Sequence, residues 1–273
     1  MPELPEVQTV ADSLKHSLVN ATIHEVTFLW PKISGNLPHE EMVRRLVGKR
    51  ILDVGRRAKY ILIRLDQGTL IVHLRMEGRF YIKESTEAIH KHSHVLLHLD
   101  DERRVEYNDT RKFGRFYYYD DGQAPTVLDG LGKEPFDDTL TASELHKSTR
   151  NKKTSLKVWL LDQTHIAGIG NIYADEICYA SHCSPKQPVG RIPLKQWETI
   201  LASTRSILQQ AILSGGTTIR TYTSSLGITG RFQLELNAYG RKGEACRQCG
   251  TPMKRIVVGQ RGTIYCPVCQ KVR

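Results

Sequence analysis

The stretch CRQCGTPMKRIVVGQRGTIYCPVC, residues 246–269, contains two Cys-x2-Cys pairs separated by sixteen residues. Each pair turns tightly enough to direct two thiolates at one ion, and the intervening residues are long enough for a returning hairpin. Two disulfides or four unrelated thiols are the alternatives, but the symmetric spacing favours a metal. We therefore predict one structural Zn²⁺, bound by Cys246, Cys249, Cys266 and Cys269. Because protein ligands fill all four positions of such a site, the ion would support folding and not Lewis-acid chemistry.

Basic residues crowd around this predicted zinc site. Residues 236–273 contain a single acid, Glu244, and eight basic residues, which are Arg241, Lys242, Arg247, Lys254, Arg255, Arg261, Lys271 and Arg273. Such charge on a small module suits a hairpin that lies against phosphates. Most of these side chains are expected to make generic contacts or to face solvent. Arg261 is placed differently, because glycines at 259 and 262 would let the backbone approach a ligand closely.

The composition of the whole chain limits its partners and its compartment. The 273 residues carry a net charge of +10, which points to a polyanion, either nucleic acid or an anionic membrane. No apolar run approaches the roughly 20 residues that span a bilayer, and the chain does not open with a signal-peptide pattern. We therefore expect a cytoplasmic protein without a membrane partner. Disulfides are disfavoured there, so Cys178 and Cys183 are predicted to be ordinary thiols.

The hydrophobic pattern changes along the chain. Residues 5–18 place aliphatic side chains at helical spacing, and short β-branched and aromatic runs follow as far as about residue 121. From about residue 140 the pattern is helical. The stretch SGGTTIRTYTSSLGITG, rich in Gly, Ser and Thr, then separates the helices from the cysteines and is unlike regular structure. We predict a mostly β domain, a helical domain, a mobile loop and a small metal module.

Six motifs resemble, in their order, those of the formamidopyrimidine-DNA glycosylases, which are bacterial-type base excision repair enzymes of the helix-two-turn-helix group. The motifs are MPELPEV at 1–7, RRAKY at 56–60, HLRMEGRF at 73–80, NDTRKFG at 108–114, GIGNIYADE at 168–176 and QRGTIYCPVCQ at 260–270. They run essentially from end to end of the chain and include the cysteines.

The resemblance implies an α+β multidomain fold. An N-terminal β-sandwich with flanking helices, 1–132, would be the catalytic domain, and a linker, 133–148, would follow it. A helix-two-turn-helix DNA-binding domain, 149–216, would lead to a lesion-capping loop, 217–235. A four-cysteine zinc-finger β-hairpin, 236–273, would end the chain.

The resemblance also implies a bifunctional DNA glycosylase and AP lyase that removes oxidised purines, such as 8-oxoguanine and formamidopyrimidines. Once Met1 is removed, Pro2 would be a secondary amine, and an α-amino pKa of about 7.7–8 leaves a neutral fraction near physiological pH. Its attack on C1′ would displace the base and leave an iminium that promotes β- and δ-elimination. Glu3 would protonate the opening sugar and then shuttle protons. Glu6 matches a second family acid, although a helix-start charge explains it equally well.

Lys59 and Arg261 complete the catalytic residues that the resemblance implies. Lys59 matches a strand-borne lysine that supports the attack and the first elimination from beside the lesion phosphate. An ordinary surface lysine on a strand is the alternative. Arg261 matches the zinc-hairpin arginine, which is credited with a phosphate contact and the second elimination.

Met76, Arg111 and Phe113 match the family's void-filling set. A thioether, a guanidinium and an aromatic ring are suited to stacking in the gap that an everted nucleotide leaves. Arg111 would also pair with the orphaned cytosine. Met and Phe on strands, however, are more often core residues, so this assignment rests on the resemblance.

Three further residues, His92, Lys152 and Asn171, match positions that contact the DNA backbone. The glycines at 168 and 170 precede the helix that begins near Asn171, and a helix start of this kind presents free N–H groups to an anion. The loop 217–230 matches the segment that closes over the everted base.

Two alternatives stay open at this stage. The first is the related endonuclease VIII branch, which acts on oxidised pyrimidines and typically has Gly where this chain has Leu4. The second is a noncatalytic zinc-ribbon protein that recognises damaged or bent DNA. In the main interpretation the partner is double-stranded DNA with oxidised bases or abasic sites, and the protein is a monomer.

Overall fold

The computed structural model describes residues 1–217 and 231–272. They belong to two compact units, which are Met1–Asp129 with Gly215–Arg231 and Gly130–Ser214 with Phe232–Arg273. Most of the predicted capping loop, 217–235, lies outside the described residues. Within the residues that are described, no helix is long and apolar enough to cross a membrane.

The described part of the first unit contains two α-helices and eight strands, in the chain order α1 (Leu4–Leu18), β1 (Ile23–Phe28), α2 (His39–Leu46), β2 (Ile51–Arg57), β3 (Tyr60–Leu65), β4 (Thr69–His73), β5 (Arg79–Glu84), β6 (Ser93–Leu99), β7 (Arg103–Asn108) and β8 (Arg115–Tyr119). The strands form two antiparallel four-stranded sheets, of order β1-β6-β7-β5 and β2-β3-β4-β8.

The two sheets share one hydrophobic core, which confirms the predicted N-terminal β-sandwich. Alternation sends Ile61 and Ile63 of β3 into the core, and the same cluster of buried residues includes Val105 of β7 from the other sheet. Helix α1 packs on β2 and β3 and buries Val10 and Leu14 in the same core. Each such aliphatic side chain contributes about 1.5–3 kcal/mol when it is fully buried.

Three connections carry the chain from one sheet to the other, and two of them are short loops. Residues 74–78 link β4 to β5, and residues 109–114 link β7 to β8. Each contains a glycine that touches the hydroxyl of Tyr107, because a Cβ atom would lie 2.1 Å from that oxygen at Gly78 and 1.8 Å from it at Gly114. Any larger residue at either position would force the connection away from Tyr107.

The second unit is helical and ends in a β-hairpin. Its described regular elements are α3 (Ala142–Thr149), α4 (Leu156–Leu161), α5 (Asn171–Ala180), α6 (Leu194–Leu213), β9 (Lys254–Val258) and β10 (Arg261–Tyr265). Helix α6 packs on α3 and α5, and the buried rings of Trp159 and Trp197 meet edge to face with centroids 4.9 Å apart. Residues 133–148, predicted as a linker, contain most of α3 and belong to this unit.

Candidate active site and DNA-contacting loops

The N-terminal residues are held against the start of α1. Met1 is 50% exposed, whereas Pro2 directly behind it is buried. Glu3 and Glu6 are also buried, and they form a reciprocal capping box in which the Glu3 N–H donates to Glu6 Oε2 at 2.9 Å. Because the backbone of Glu3 is bonded to the helix, the position of its neighbour Pro2 is fixed as well.

Glu6 does more than balance the charge of a helix start. Its second carboxylate oxygen, Oε1, accepts from the main-chain N–H of Thr217 at 2.8 Å and from the Thr217 hydroxyl at 2.9 Å. Gly216 has a φ of +77°, and a Cβ there would lie 2.9 Å from the same oxygen. One carboxylate therefore joins the start of α1 to the segment that precedes residue 218.

Lys59 lies in a turn and not on a strand, so the expected placement is wrong. Arg57 of β2 pairs with Tyr60 of β3, which leaves Ala58 and Lys59 as a two-residue hairpin turn with Ala58 at a φ of +53°. Lys59 is only 6% exposed, so an ordinary surface lysine is excluded too. A two-residue turn of positive φ matches the twist of the strands that it joins.

The Lys59 turn is linked to α1 through one arginine. Arg56 Nε donates to Gln8 Oε1 at 2.9 Å, and Arg56 Nη1 donates to the carbonyl of Ala58 at 3.0 Å. Gln8 lies in α1, two residues after Glu6. The guanidinium thus braces the lysine-bearing turn against the helix that begins the chain.

His73, at the end of β4, is a neutral neighbour of these cations. Burial lowers its pKa to about 3, and the charges of Arg75 and Lys59 add to that effect. Its Nδ1 accepts from the Arg75 N–H at 2.9 Å, so Nε2 carries the proton. A histidine in this state adds no positive charge beside Lys59.

The three void-filling candidates lie on the connections that cross between the sheets. Met76 is 39% exposed and Phe113 is 46% exposed, and neither belongs to a strand. The alternative that they are strand core residues is therefore wrong. The Arg111 guanidinium carbon lies 4.8 Å from the centroid of the Phe113 ring. The structure thus brings Arg111 and Phe113 together on one loop and places Met76 on the other.

His92 lies just before β6 and is half-buried. Its carbonyl accepts from the Asp109 N–H at 3.0 Å, which ties its segment to the loop of Arg111. Lys152, in the second unit, is exposed on a loop after α3. Gly190 donates to the Lys152 carbonyl at 3.0 Å, and a Cβ at Gly190 would lie 2.8 Å from the Lys152 nitrogen. Both residues thus sit on braced loops.

The four predicted metal ligands form a cluster in the second unit. The sulfurs of Cys246, Cys249, Cys266 and Cys269 all lie within 4.8 Å of one another. Two of the separations are 4.0 Å, from Cys246 to Cys269, and 3.5 Å, from Cys249 to Cys266. An ion about 2.3 Å from each of four tetrahedral sulfurs would set them about 3.8 Å apart. The donor set and its spacing therefore fit Zn²⁺.

Helix α5 forms the base on which the zinc module is built. Tyr179 places its hydroxyl 3.3 Å from Cys246 Sγ, and the buried carboxylate of Glu176 accepts three main-chain N–H groups, from Asn237, Ala238 and Tyr239. Asp175 accepts from the Ile264 N–H at 3.0 Å. Helix α5 thus holds both residues 237–239, which begin the zinc module, and strand β10.

The hairpin that carries Arg261 is also anchored at its tip. Gly259 and Gln260 form the turn, with φ values of +54° and +62°, and a Cβ at Gly259 would lie 2.3 Å from Val158 Cγ2 of α4. The Gly262 carbonyl accepts from Asn171 Nδ2 at 3.3 Å. Contacts inside the unit therefore account for the glycines beside Arg261, and the Arg261 side chain itself is exposed.

Comparison with known proteins covers the whole chain. A family model of the formamidopyrimidine-DNA glycosylase N-terminal domain matches residues 1–116, and a model of the H2TH domain of these enzymes matches residues 131–223. A model of the zinc finger found in FPG and IleRS matches residues 243–272. The formamidopyrimidine-DNA glycosylase of Ligilactobacillus salivarius is 41% identical to this chain over 100% of both proteins. The chain belongs to the formamidopyrimidine-DNA glycosylase family.

Relatives and solved structures of the family agree with this assignment. The formamidopyrimidine-DNA glycosylase of Bacillus anthracis is 40% identical over 99% of each chain. The Lactococcus lactis Fpg, in a complex with DNA that contains an abasic site, superimposes with a TM-score of 0.92 at 34% identity, and the match covers 98% of this chain and 99% of that one. A MutM in complex with DNA that contains carbocyclic 8-oxo-G gives 0.92 at 33% identity, over 99% and 100%.

Membership confirms the main predictions from sequence. The chain is a DNA glycosylase of base excision repair, and AP lyase activity is a known trait of formamidopyrimidine-DNA glycosylases. The β-sandwich, the helix-two-turn-helix domain and the zinc hairpin are present as predicted. The four cysteines are the ligands of one structural zinc. Burial raises the pKa of Cys178, which keeps that residue an ordinary thiol.

The sequence gives little indication of three residues that hold the Arg111 loop and the zinc module in place. Asp109, Asp175 and Glu176 are buried, although an acid in a polar motif is usually exposed. One signal was available for Asp109, because Asp before a turn often accepts N–H groups two residues further on. No comparable local signal marks Asp175 or Glu176, whose main-chain N–H donors lie more than sixty residues away in the chain.

A buried ion pair supports the Arg261 hairpin and allows a prediction about stability. Lys157 Nζ lies 2.6 Å from Asp175 Oδ1 and donates to the Gly262 carbonyl at 3.1 Å. We expect Lys157→Met to lower the free energy of unfolding by about 3–5 kcal/mol at pH 7.5, because it leaves a buried carboxylate without its partner. Burial raises the pKa of Asp175 to about 6, so protonation should reduce the loss at pH 5. Urea denaturation, monitored by tryptophan fluorescence, measures the free energy of unfolding at both pH values.

The surface pair between Lys133 and Glu144 provides the matched control. These side chains are 36% and 46% exposed, so Lys133→Met should cost less than about 1 kcal/mol. The double variant Lys157→Met/Asp175→Asn should recover most of the stability that Lys157→Met alone loses. An equal loss in the Lys157 and Lys133 variants would contradict the importance of the buried pair.

Proposed function

We propose that this formamidopyrimidine-DNA glycosylase removes oxidised purines, such as 8-oxoguanine and formamidopyrimidines, and then cleaves the abasic site by β- and δ-elimination. The observation that carries the proposal is the placement of Pro2. It lies immediately behind an exposed Met1, against a helix start in which Glu6 holds the Glu3 backbone. Removal of Met1 converts the Pro2 nitrogen from an amide into a secondary amine whose position is already set.

The base is displaced in a single substitution step. The Pro2 lone pair forms a bond to C1′ of the damaged nucleotide while the glycosidic bond breaks, and the base leaves with that bonding pair. The Pro2 nitrogen then gives its proton to the departed base, and its lone pair breaks the C1′–O4′ bond while Glu3, buried next to Pro2, protonates O4′. The resulting iminium is cationic without a further proton, so it withdraws electrons from the sugar and promotes loss of the 3′ and then the 5′ phosphate.

Lys59 and Arg261 act on phosphates in this proposal. The braced turn of Lys59 supports a cation that faces the lesion phosphate during the attack and the first elimination. Arg261 is exposed beyond an anchored hairpin tip, and it contacts phosphate in the second elimination. The zinc ion has no part in the chemistry, since four cysteines close its coordination sphere. It keeps the strand that carries Arg261 folded.

The remaining predicted contacts bind the duplex. Met76, Arg111 and Phe113 fill the gap that the everted nucleotide leaves, and Arg111 pairs with the orphaned cytosine. The backbone contacts come from His92, Lys152 and Asn171. The Asn171 side-chain oxygen is buried and has no hydrogen-bond partner among residues 1–217 and 231–272. The segment predicted to close over the everted base, 217–230, lies almost entirely outside the described residues. We further propose that the protein is a monomer, that it is located in the bacterial cytoplasm, and that it is associated with the nucleoid when it acts on DNA.

Covalent trapping tests this function. The protein, with Met1 removed, is incubated with borohydride and a duplex that carries 8-oxoguanine opposite cytosine, an abasic site, an oxidised pyrimidine or undamaged guanine. We expect adducts with the first two duplexes, less with the oxidised pyrimidine and none with guanine. Preferential trapping of the pyrimidine lesion would assign the chain to the endonuclease VIII type of activity. No adduct with any lesion would leave a noncatalytic DNA-binding protein.

A further inference from the structure

The carboxylate of Asp109 holds the loop that carries Arg111 and Phe113 by its main chain. Asp109 is fully buried. Its Oδ1 accepts from the Arg111 N–H at 3.0 Å, while Oδ2 accepts from the Phe113 N–H at 2.9 Å and from the Gly114 N–H at 2.8 Å. Three main-chain hydrogen bonds therefore converge on one buried carboxyl group within six residues.

The backbone of Asp109 fixes the carboxylate in turn. Its N–H donates to the His92 carbonyl at 3.0 Å, and its carbonyl lies 2.8 Å from His94 Nε2 and accepts from the Lys112 N–H at 3.2 Å. Lys112 has a φ of +58°, a conformation that a lysine rarely adopts unless its surroundings impose it. Asp109 therefore imposes on the loop a shape that the loop sequence does not favour.

The two loops that cross between the sheets are also joined to each other. The Thr110 hydroxyl donates to Glu77 Oε2, and Glu77 follows Met76 directly in the chain. Gly78 and Gly114, one on each loop, both touch the Tyr107 hydroxyl. Met76, Arg111 and Phe113 thus project from a single braced platform, in which Asp109 bonds most of the second loop.

We propose that Asp109 is a positioning residue for base eversion. It presets the loop so that Arg111 and Phe113 enter the stack in one fixed arrangement as the damaged nucleotide leaves. The inference rests on the proposed function, because it assumes that these side chains fill the gap. A reacting arrangement that is misplaced by about 1 Å can cost about 100-fold in rate. Substitution of Asp109 should therefore lower the rate on substrates in which eversion leaves a gap in the duplex, and should not lower it on other substrates.

Two substitutions at Asp109 remove the restraint in steps. In Asp109→Asn the single amide oxygen can still accept from Phe113 and Gly114, but the amide group then faces the Arg111 N–H, so one bond is lost. In Asp109→Ala all three bonds are lost. Asp100→Asn is the matched control, since Asp100 is an exposed carboxylate that accepts the Thr22 N–H at 3.0 Å at a distance from these loops.

The experiment compares duplex and single-stranded substrates. We expect Asp109→Ala to slow excision of 8-oxoguanine from a duplex under single-turnover conditions by about 100-fold, with Asp109→Asn between it and the wild type. Borohydride trapping on a single-stranded oligonucleotide that contains an abasic site should stay within twofold of the wild type. That substrate has no opposite strand and no gap, and its target base is already gone.

The outcomes separate positioning from folding and from failure of the proposed function. Equal losses on both substrates would show a general structural role and overturn the proposal, as would an unchanged duplex rate. A wild-type protein that traps neither substrate would instead refute the proposed function. In a Phe113→Ala background, Asp109→Asn should add less than twofold if it acts through this loop. Fully additive losses would also overturn the proposal.

Discussion

Protein that retains Met1 is expected to form no covalent adduct with lesion DNA. The reason is electronic, because the nitrogen of Pro2 in a Met1–Pro2 bond is a tertiary amide whose lone pair is delocalised. Removal of Met1 yields a secondary amine that titrates near pH 8. At excess DNA, the fraction of protein trapped by borohydride should therefore equal the fraction of chains that lack Met1, as determined by intact mass spectrometry.

Substitution of Pro2 should have an effect of similar size. Pro2→Gly retains an α-amine, but this amine is primary and its chain is free to rotate where the ring was fixed. We expect excision of 8-oxoguanine to fall by at least about 100-fold, the scale of a mispositioned reacting group. Pro38→Gly, which changes the proline that precedes α2 in the same unit, should leave excision unchanged. Full trapping by protein whose Pro2 α-amine has been acetylated would refute Pro2 as the nucleophile.

Removal of zinc is the second change with a large expected effect. The hydrophobic cluster around the cysteines is small, and its buried members are Tyr179 of α5, Ala238, Cys246, Met253 and Cys266. Structural zinc sites contribute apparent binding free energies of about 10–16 kcal/mol, which is comparable to the total stability of about 5–15 kcal/mol of a whole domain. So few buried side chains cannot replace that contribution, and β9 and β10 should lose their order without the ion.

Loss of the hairpin should weaken DNA binding, since its basic residues are the expected phosphate contacts. Cys249→Ser should lower the zinc content from one ion per chain to below one and reduce affinity for an abasic-site duplex by at least about tenfold at 100 mM salt. Cys178→Ser changes a buried cysteine outside the cluster and should retain one zinc. Hydrogen exchange of residues 254–265 reports the order of the hairpin. Unchanged affinity after verified metal loss would contradict its assigned role.

Features encoded by neighbouring residues were predictable from the sequence. The spacing of the cysteines is enough to predict the zinc site, because each Cys-x2-Cys pair is a local turn. Helix α6 lies in the part of the chain after residue 140 that was predicted to be helical, since apolar residues recur there at helical spacing. Motifs of this length and regularity determine their own structure.

Elements that depend on distant partners are not marked by the local sequence. Strand β2 buries only Ile51 and Val54, and β5 buries only Phe80, so neither shows the alternation of a half-buried strand. The Ala58–Lys59 turn lacks the Gly, Asn or Asp that usually marks a positive φ. Three-dimensional contacts stabilise these elements, and no window of neighbouring residues contains that information.

The candidate site divides in the same way. The residues proposed to meet DNA could be named from motifs, but the groups that hold them could not. Arg56 of β2 braces the Lys59 turn against α1, Lys157 supports the Arg261 hairpin, and Asp109 bonds the Arg111 loop. Each support is a single charged side chain of a residue type that is common on protein surfaces. Only burial and hydrogen-bond geometry distinguish them from the other charged residues of a basic protein.

The loop between β7 and β8 is bonded at its backbone amides, and the side chains at positions 111 and 113 take no part in that bonding. Exchange of either side chain should therefore leave the loop in place. Mutation can then sample new preferences for the opposite base at little risk to folding. In evolution and in protein engineering alike, the β-sandwich can hold the loop backbone unchanged while the side chains at positions 111 and 113 vary.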